Sequence, residues 1–477
     1  ERHAMAALPS AGRKLSARMR ALSVCIAAGA LAAITVLLPP LFSWQENADL
    51  YMLFRARGKQ APPDEVVIVP IDRRATDRLA VPKDPQAFAA CSDLLVGDAL
   101  PATHERLVPP HQMSHWPRCI MARTVQALQR AGAAAIVLDV VFRPRPAQGY
   151  SNVLLAQALR AAGNVIVAQR IEGEREEPAP SEPAIAGASL GEAPLLLSRS
   201  NMTYVHRYYA LERADWDNVS MPLLALQLRT LPDYPVLRSL LVAEQPELDD
   251  LLPRNADELR AQGQLQALAL MIRGAIRHRG DLATQLLRGL ERPNHADMTP
   301  EQRQMLRALI RAYAGSTERY FNFRGPPGTL QAVRLEKLLG AGPPPDLRGK
   351  AVFIGLAEYG YPEQYEHFPT VWQSADGFDH GGVELAATAY SNLLNDDSVA
   401  PVAAWARALI VFALGASIAW VCFFYTLRRA LLIVLAIASL YFAIALLAFE
   451  HHAVWLPLIG AGFAVAMSLM LAFITQH

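Results

Sequence analysis

The chain has almost no net charge, few cysteines and no recognisable catalytic signature, and each shortage removes a class of function. A net charge of +1 over 477 residues offers no basic surface for a nucleic acid backbone. No G-x-S-x-G elbow, H-E-x-x-H, kinase or cyclase signature occurs, so the residues carry no catalytic site of those kinds. GPPG at 325–328 lacks a following Lys and Ser/Thr on a helix. GK at 349–350 lacks the upstream glycine of a phosphate loop. Nucleotide binding is not expected, and neither is any cofactor; the prolines fix turns instead.

Apolar residues, in contrast, make up 52% of the chain and are unevenly spread. Four runs have membrane-spanning length, at 21–43, 402–424, 430–449 and 453–474. Arg407 is the one charged residue inside them, near a terminus where it can snorkel. The first run is longer than the apolar core of a signal sequence and has no small-residue cleavage pattern after it, so it reads as a retained anchor. Arg13, Lys14, Arg18 and Arg20 put the 1–20 tail in the cytoplasm, and Arg428 with Arg429 put the loop between the second and third runs there too. Both charge clues are met by one topology: residues 45–400 outside, the Glu450, His451, His452 loop outside, and both termini inside.

The outer region is organised around residues 116–142, WPRCIMARTVQALQRAGAAAIVLDVVF. Ile120, Val125, Leu128 and Ala131 recur at helical spacing up to Gly132. A continuous apolar run then leads to Asp139 and Phe142, as in a strand covered on both faces. Similar runs stand at 66–72 (VVIVPID), 164–169 (NVIVAQ) and 350–356 (KAVFIGL), and a helix is expected over 381–395. Strands alternating with helices predict an α/β domain with a mostly parallel sheet. Two stretches interrupt it. The piece at about 78–115 is Pro-rich and reads as a surface excursion. Residues 231–316 read as several amphipathic helices, with Thr299 as an N-cap and Glu301 in the first turn, and form a packing or partner surface.

VVIVPID, WPR, LQRAGAAAIVLDVVF, FNFRGPPGT, LRGKAVFIG and GGVELAATAYSNLL, in that order over roughly 49–399, resemble the CHASE type 2 (CHASE2) sensor domain. That resemblance implies an extracytoplasmic module of the kind found in front of bacterial adenylate or guanylate cyclases, histidine kinases and Ser/Thr kinases. Asp49 and Arg55 match an Asp and an Arg that the family carries before the first strand. The family's Asp and Thr-Pro after the IG turn are replaced here by EYGYPEQYEHFPT at 358–370. A family ligand role is therefore not carried over to Glu358, Tyr361, Glu363, His367, Pro369 and Thr370, an aromatic-rich loop that can simply pack on the sheet edge.

Within this frame, Asp72 and Asp139 end apolar strands, where open parallel sheets bind ligands; the plainer alternative is that they cap the following turns. Arg118 and Arg324 are their best cationic partners, through either an ion pair or an anion site. Spacing alone makes His104, His111 and His115, with Cys119 and nearby Cys91, a conceivable zinc or copper set. Prolines 109, 110 and 117 break the helix such spacing needs, so no metal is assigned. Cys91 and Cys119 both face an oxidising periplasm and form the candidate disulfide, whereas Cys25 and Cys422 lie in membrane runs and should be free.

The expectation is a bacterial inner-membrane protein with one N-terminal and three C-terminal transmembrane helices and a periplasmic sensor domain over 45–400. It would pass a signal to a cytoplasmic cyclase or kinase not present in this chain, of which the start at Glu1, ahead of Met5, suggests a fragment. The alternative is a non-catalytic accessory subunit that uses the sensor fold as scaffold in an envelope complex. Partners are the lipid bilayer and either a second copy, through contacts at Ala27, Ala28, Gly29 and Ala30, or another membrane or periplasmic protein. On non-reducing gels, Cys91→Ser and Cys119→Ser should each lose the same mobility shift relative to the parent chain; a parent chain with no shift would remove the disulfide.

Overall fold

VVIVPI is rich in β-branched residues and too short for a buried helix. It forms strand β1 (Val66–Ile71), buried at every position. Helix α3 (Arg118–Arg130) follows, and its chain is turned by Gly132 at φ +83°, with Ala133 N–H returning to the Leu128 carbonyl at 3.1 Å. That left-handed turn favours glycine. A Cβ there would also lie 2.6 Å from Arg348 Cγ. Strand β2 (Ala135–Asp139), helix α4 (Gly149–Ala162), strand β3 (Val165–Ala168) and the short β4 (Glu192–Ala193) continue the alternation. The computed structural model describes residues 9–72, 75, 118–144, 149–172, 177–179, 181–198, 204–211, 218–263, 265–292, 297–340, 342–358, 368–372 and 379–476.

After β4 come strand β5 (Arg207–Tyr209), helix α5 (Met221–Arg229), the insert helices α6 (Tyr234–Glu244), α7 (Ala256–Gln262), α8 (Leu265–His278), α9 (Leu282–Gly289) and α10 (Pro300–Ala314), and strand β6 (Glu318–Tyr320). Helix α11 (Leu335–Leu339), strand β7 (Ala351–Leu356) and helix α12 (Gly382–Asn395) complete the unit Lys59–Ser398. The five-stranded sheet has order β1-β7-β2-β3-β4, and all its pairings are parallel. Alternate side chains divide between two faces. Val67, Val69, Ile136, Leu138, Val352 and Ile354 share one core with α3, α4 and α11. On the other face Phe353 meets Tyr390 of α12 at 5.5 Å between ring centroids, and α5 packs on β2 and β3.

The insert is an integral layer rather than an appendage. Its ends are brought together by antiparallel β5 and β6, which limits the entropy cost of so long an excursion. Thr299 caps α10 as expected, in a capping box completed by Gln302. Helix α10 packs on α12 and α5, with Arg229 to Glu301 at 2.8 Å and Arg311 to Asp396 at 2.8 Å.

The second unit comprises Glu1–Gly58 and Val399–His477. It holds α1 (Pro9–Thr35), α2 (Pro39–Arg57), strand β8 (Ala400–Pro401), α13 (Ala404–Phe424), α14 (Leu427–His452), strand β9 (Val454–Trp455) and α15 (Leu458–Gln476). Among the described residues only α13 and α14 are long and apolar enough to cross a membrane, not the four helices expected. The run 21–43 is broken: α1 stops at Thr35, and Pro39 and Pro40, which lack N–H groups, open a new helix. The run 453–474 spends its start on β9. The shorter apolar stretches left are Leu22–Thr35 and Leu458–Met470. Helices α1, α13 and α15 pack on one another. The small residues of α1 serve this crossing inside the chain: a Cβ on Gly415 would lie 3.2 Å from Gly29 Cα, and Ala28 is fully buried.

The sheet core predicts its own sensitivity. Phe353→Ala should cost about 3–5 kcal/mol, read as a lowered unfolding midpoint of the purified full chain. A midpoint within error of the parent would contradict the core placement.

Candidate functional site

In a parallel sheet, strand ends and the starts of the following helices fall on one edge. Asp139, the last residue of β2, is paired with Gly355, and Ile71, just before Asp72, is paired with Leu356. The two aspartates therefore stand on either side of the carboxyl end of β7. Helices α3 and α4, which come next in the described chain after β1 and β2, lie on one face of the sheet, whereas α12, which comes next after β7, lies on the opposite face. In open α/β sheets ligands bind where such a reversal occurs.

The four ligand candidates each have a definite position. Asp72 Oδ1 accepts from Ala75 N–H at 2.7 Å, the capping arrangement. Asp139 is half-buried. A Cβ at Gly355 would lie 2.9 Å from Asp139 Cβ and 2.9 Å from Val383 Cβ, so glycine lets that carboxylate lie against the neighbouring strand. Arg118 opens α3 and is 3% exposed. Its Nη2 donates to the Arg143 carbonyl at 2.6 Å, and its guanidinium is 6.0 Å from the Phe142 ring centroid. It thus fastens the start of α3 to the chain leaving β2. Arg324 is not with them. It pairs with Asp397, just after α12, and its carbonyl accepts from Gln60 N–H, which puts it at the amino edge of the sheet. A parallel sheet keeps these two edges a full strand length apart.

Cys119 is disulfide-bonded, and Cys25 and Cys422 are free and buried. Cys91, His104, His111, His115, Tyr361, Glu363 and His367 lie outside the described residues, as does the 78–115 excursion. Among the described residues no group of three His, Cys, Asp or Glu could hold a metal ion.

A buried polar seam along α12 carries residues that sequence reasoning did not single out. His380 lies just ahead of the helix; its Nδ1 is 3.1 Å from Thr370 Oγ1 and its ring 5.3 Å from that of Phe323. Thr370 Oγ1 also accepts from Trp372 N–H at 3.2 Å, leaving its hydroxyl proton for a neutral imidazole. Burial drives His380 down to about 4. Glu384 Oε1 accepts from Gly328 N–H at 2.8 Å, and a small cavity lies between Phe323, Gly325, Thr329, His380, Glu384 and Thr388. Toward the far end, Asn392 Oδ1 accepts from Asn322 N–H at 2.9 Å and Asn322 Nδ2 donates to the Asp397 carbonyl at 2.8 Å. The GPPG turn and the FPT remnant were visible in sequence; their convergence on α12 was not.

This is an α/β domain whose helices change face across the sheet, joined in sequence to long apolar helices. A sequence profile of the CHASE2 domain matches residues 27–427, and the chain belongs to the CHASE2 family of extracytoplasmic sensor domains. No curated protein and no solved structure matches it.

The seam carries a pH dependence of defined sign. His206, also pushed down to about 4 by burial first and by Arg207 second, and His380 both bind a proton less readily folded than unfolded, where a histidine titrates at 6.5. Their stabilisation is complete above pH 6.5 and is lost as pH falls toward about 4. The unfolding midpoint of the full chain should drop through that window more steeply than that of His206→Gln with His380→Gln. Parallel curves would count against buried neutral histidines.

Proposed function

We propose that this chain receives a stimulus outside the cytoplasm and transmits it through membrane helices to a cytoplasmic output of the cyclase or kinase kind. The sensor class follows from the family; the observation that carries the transmission is the economy of the exit. Helix α12, which bears the sheet, the insert and the polar seam, ends at Asn395, and the membrane-length α13 begins at Ala404. Residues 396–403 leave little slack to absorb a displacement. A ligand held at the carboxyl edge by Asp72, Arg118 and Asp139 would act on the start of α12 through β7, since Gly355 leaves no room for a side chain between Asp139 and Val383. Discrete repacking of such an element is the usual form of a transmembrane switch.

The accompanying topology has the 1–20 tail and the Arg428, Arg429 turn in the cytoplasm of a bacterial inner membrane, and the unit Lys59–Ser398 in the periplasm. Basic residues at the starts of α1 and α14 support it. The insert's packing onto α12 favours a role inside the sensor over a free docking platform.

A reporter fused after Ala400 should be active only in a form that works outside the cytoplasm; activity confined to the cytoplasm would overturn this topology. Intact mass from the native membrane tests the output. Peptides beyond His477 would identify a larger signalling protein, whereas a mass of the 477 residues with stoichiometric partners would favour an accessory subunit.

A further inference from the structure

The helical unit contains a buried carboxylate held by donors from elsewhere in the chain. Asp49, on α2, is 1% exposed. Its Oδ1 accepts from Ile459 N–H at 2.6 Å, capping the first turn of α15 from another helix, and its Oδ2 accepts from Trp455 Nε1 at 3.1 Å. Trp455 is fully enclosed, and its carbonyl accepts from Val402 N–H at 3.3 Å, two residues before α13. The segment entering the sensor body and the segment leaving it therefore bond to the same residue.

The geometry points to a new site: Asp49 is a proton-operated latch that holds Trp455 and the first turn of α15 when ionised and releases the indole when protonated. The two oxygens differ. Oδ1 faces the positive end of a helix through a short bond. Oδ2 accepts the longer bond, from the neutral indole, and a proton placed there sets an O–H against the indole N–H, which has no acceptor to offer. Trp455 must then turn, carrying with it the β8 and β9 pairing of Ala400 with Val454 and Pro401 with Trp455.

Charge around the carboxylate is sparse. From α13 comes Arg407, whose positive charge favours ionisation; from α14 comes Tyr441, whose hydroxyl donates to the Pro457 carbonyl at 2.9 Å; from α15 and its approach come only the Leu458 and Ile459 N–H groups and the indole. On α2 itself Glu46 is also buried. Burial outweighs the donors and Arg407 and pushes Asp49 up to about 7 from 3.8. The sign is opposite to that of the histidines. The proton is held more tightly folded than unfolded, so this contribution to stability is present below 3.8 and is lost as pH rises through about 7. Acidification thus rearranges the joint without unfolding it.

Tryptophan emission of the full chain in detergent, followed from mildly acidic to mildly alkaline pH, reads the latch. The difference between the parent and Trp455→Phe should titrate as one proton with a midpoint near 7 and be flat in the Asp49→Asn background. A flat parent, a midpoint in the ordinary carboxylate range, or a titration that survives Asp49→Asn would each overturn the latch. Should Asp49→Asn not accumulate, the infrared band of a protonated carboxyl serves instead. It should grow on acidification and move to higher pH in Trp455→Phe, which removes a donor to the ionised form; a band that is absent or unmoved overturns the latch. Its meaning for signalling rests on the sensor reading, but the titration does not, so a failed topology and a failed latch are distinguishable.

Discussion

The arrangement of the outer unit depends on the pairing of β7 between β1 and β2. Residues 351–356 must return to lie between 66–71 and 135–139, and without them β1 keeps, among the described residues of the sheet layer, only the bridge from Ile68 to Ala332. Closing so long a loop is tolerable because its entropy cost grows only slowly with length, while burial of Val352, Phe353 and Ile354 on both faces supplies the compensating free energy. The inserted strand also reverses the direction in which helices leave the sheet. One pairing therefore both completes the core and sets Asp72 and Asp139 on either side of the carboxyl end of β7.

Polar groups then fix what apolar packing leaves loose. Hydrophobic contact would let α12 slide along the sheet, but a buried donor or acceptor without its partner is costly, so each bond pins a register. His380 with Thr370 holds its start; Asn322, Asn392, Asp397 and Arg324 hold its end. Asp396, left-handed at φ 50°, closes the helix and pairs with Arg311 of the insert. The large insertion is thus coupled to the last helix before the long apolar helices.

Part of this was legible because hydropathy changes abruptly at strand ends, and a parallel topology then collects those ends. Asp72 and Asp139 fall on the carboxyl edge of the sheet on that logic alone. Arg324 did not follow, because a cation's partner is decided by the fold and not by its neighbours in sequence: Asp397 lies far downstream. His380 and Asn392 gave no warning either, being single polar residues in apolar surroundings with no repeating interval to mark them. Asp49 occupied a family position, yet nothing local indicated that its partner would be Trp455.

What the sequence by itself determined is the local and additive part: helix and strand types, the α/β class, the turn at Gly132, the cap at Thr299, the apolar runs and the family. These follow from periodicity, caps and composition, which act over a few residues. Only the tertiary structure decided strand order, which arginine met which carboxylate, the break of the first apolar run into α1 and α2, and the meeting of Asp49 with Trp455. Those depend on which distant surfaces exclude water together, and that is settled by the packing of the whole chain rather than by any segment of it.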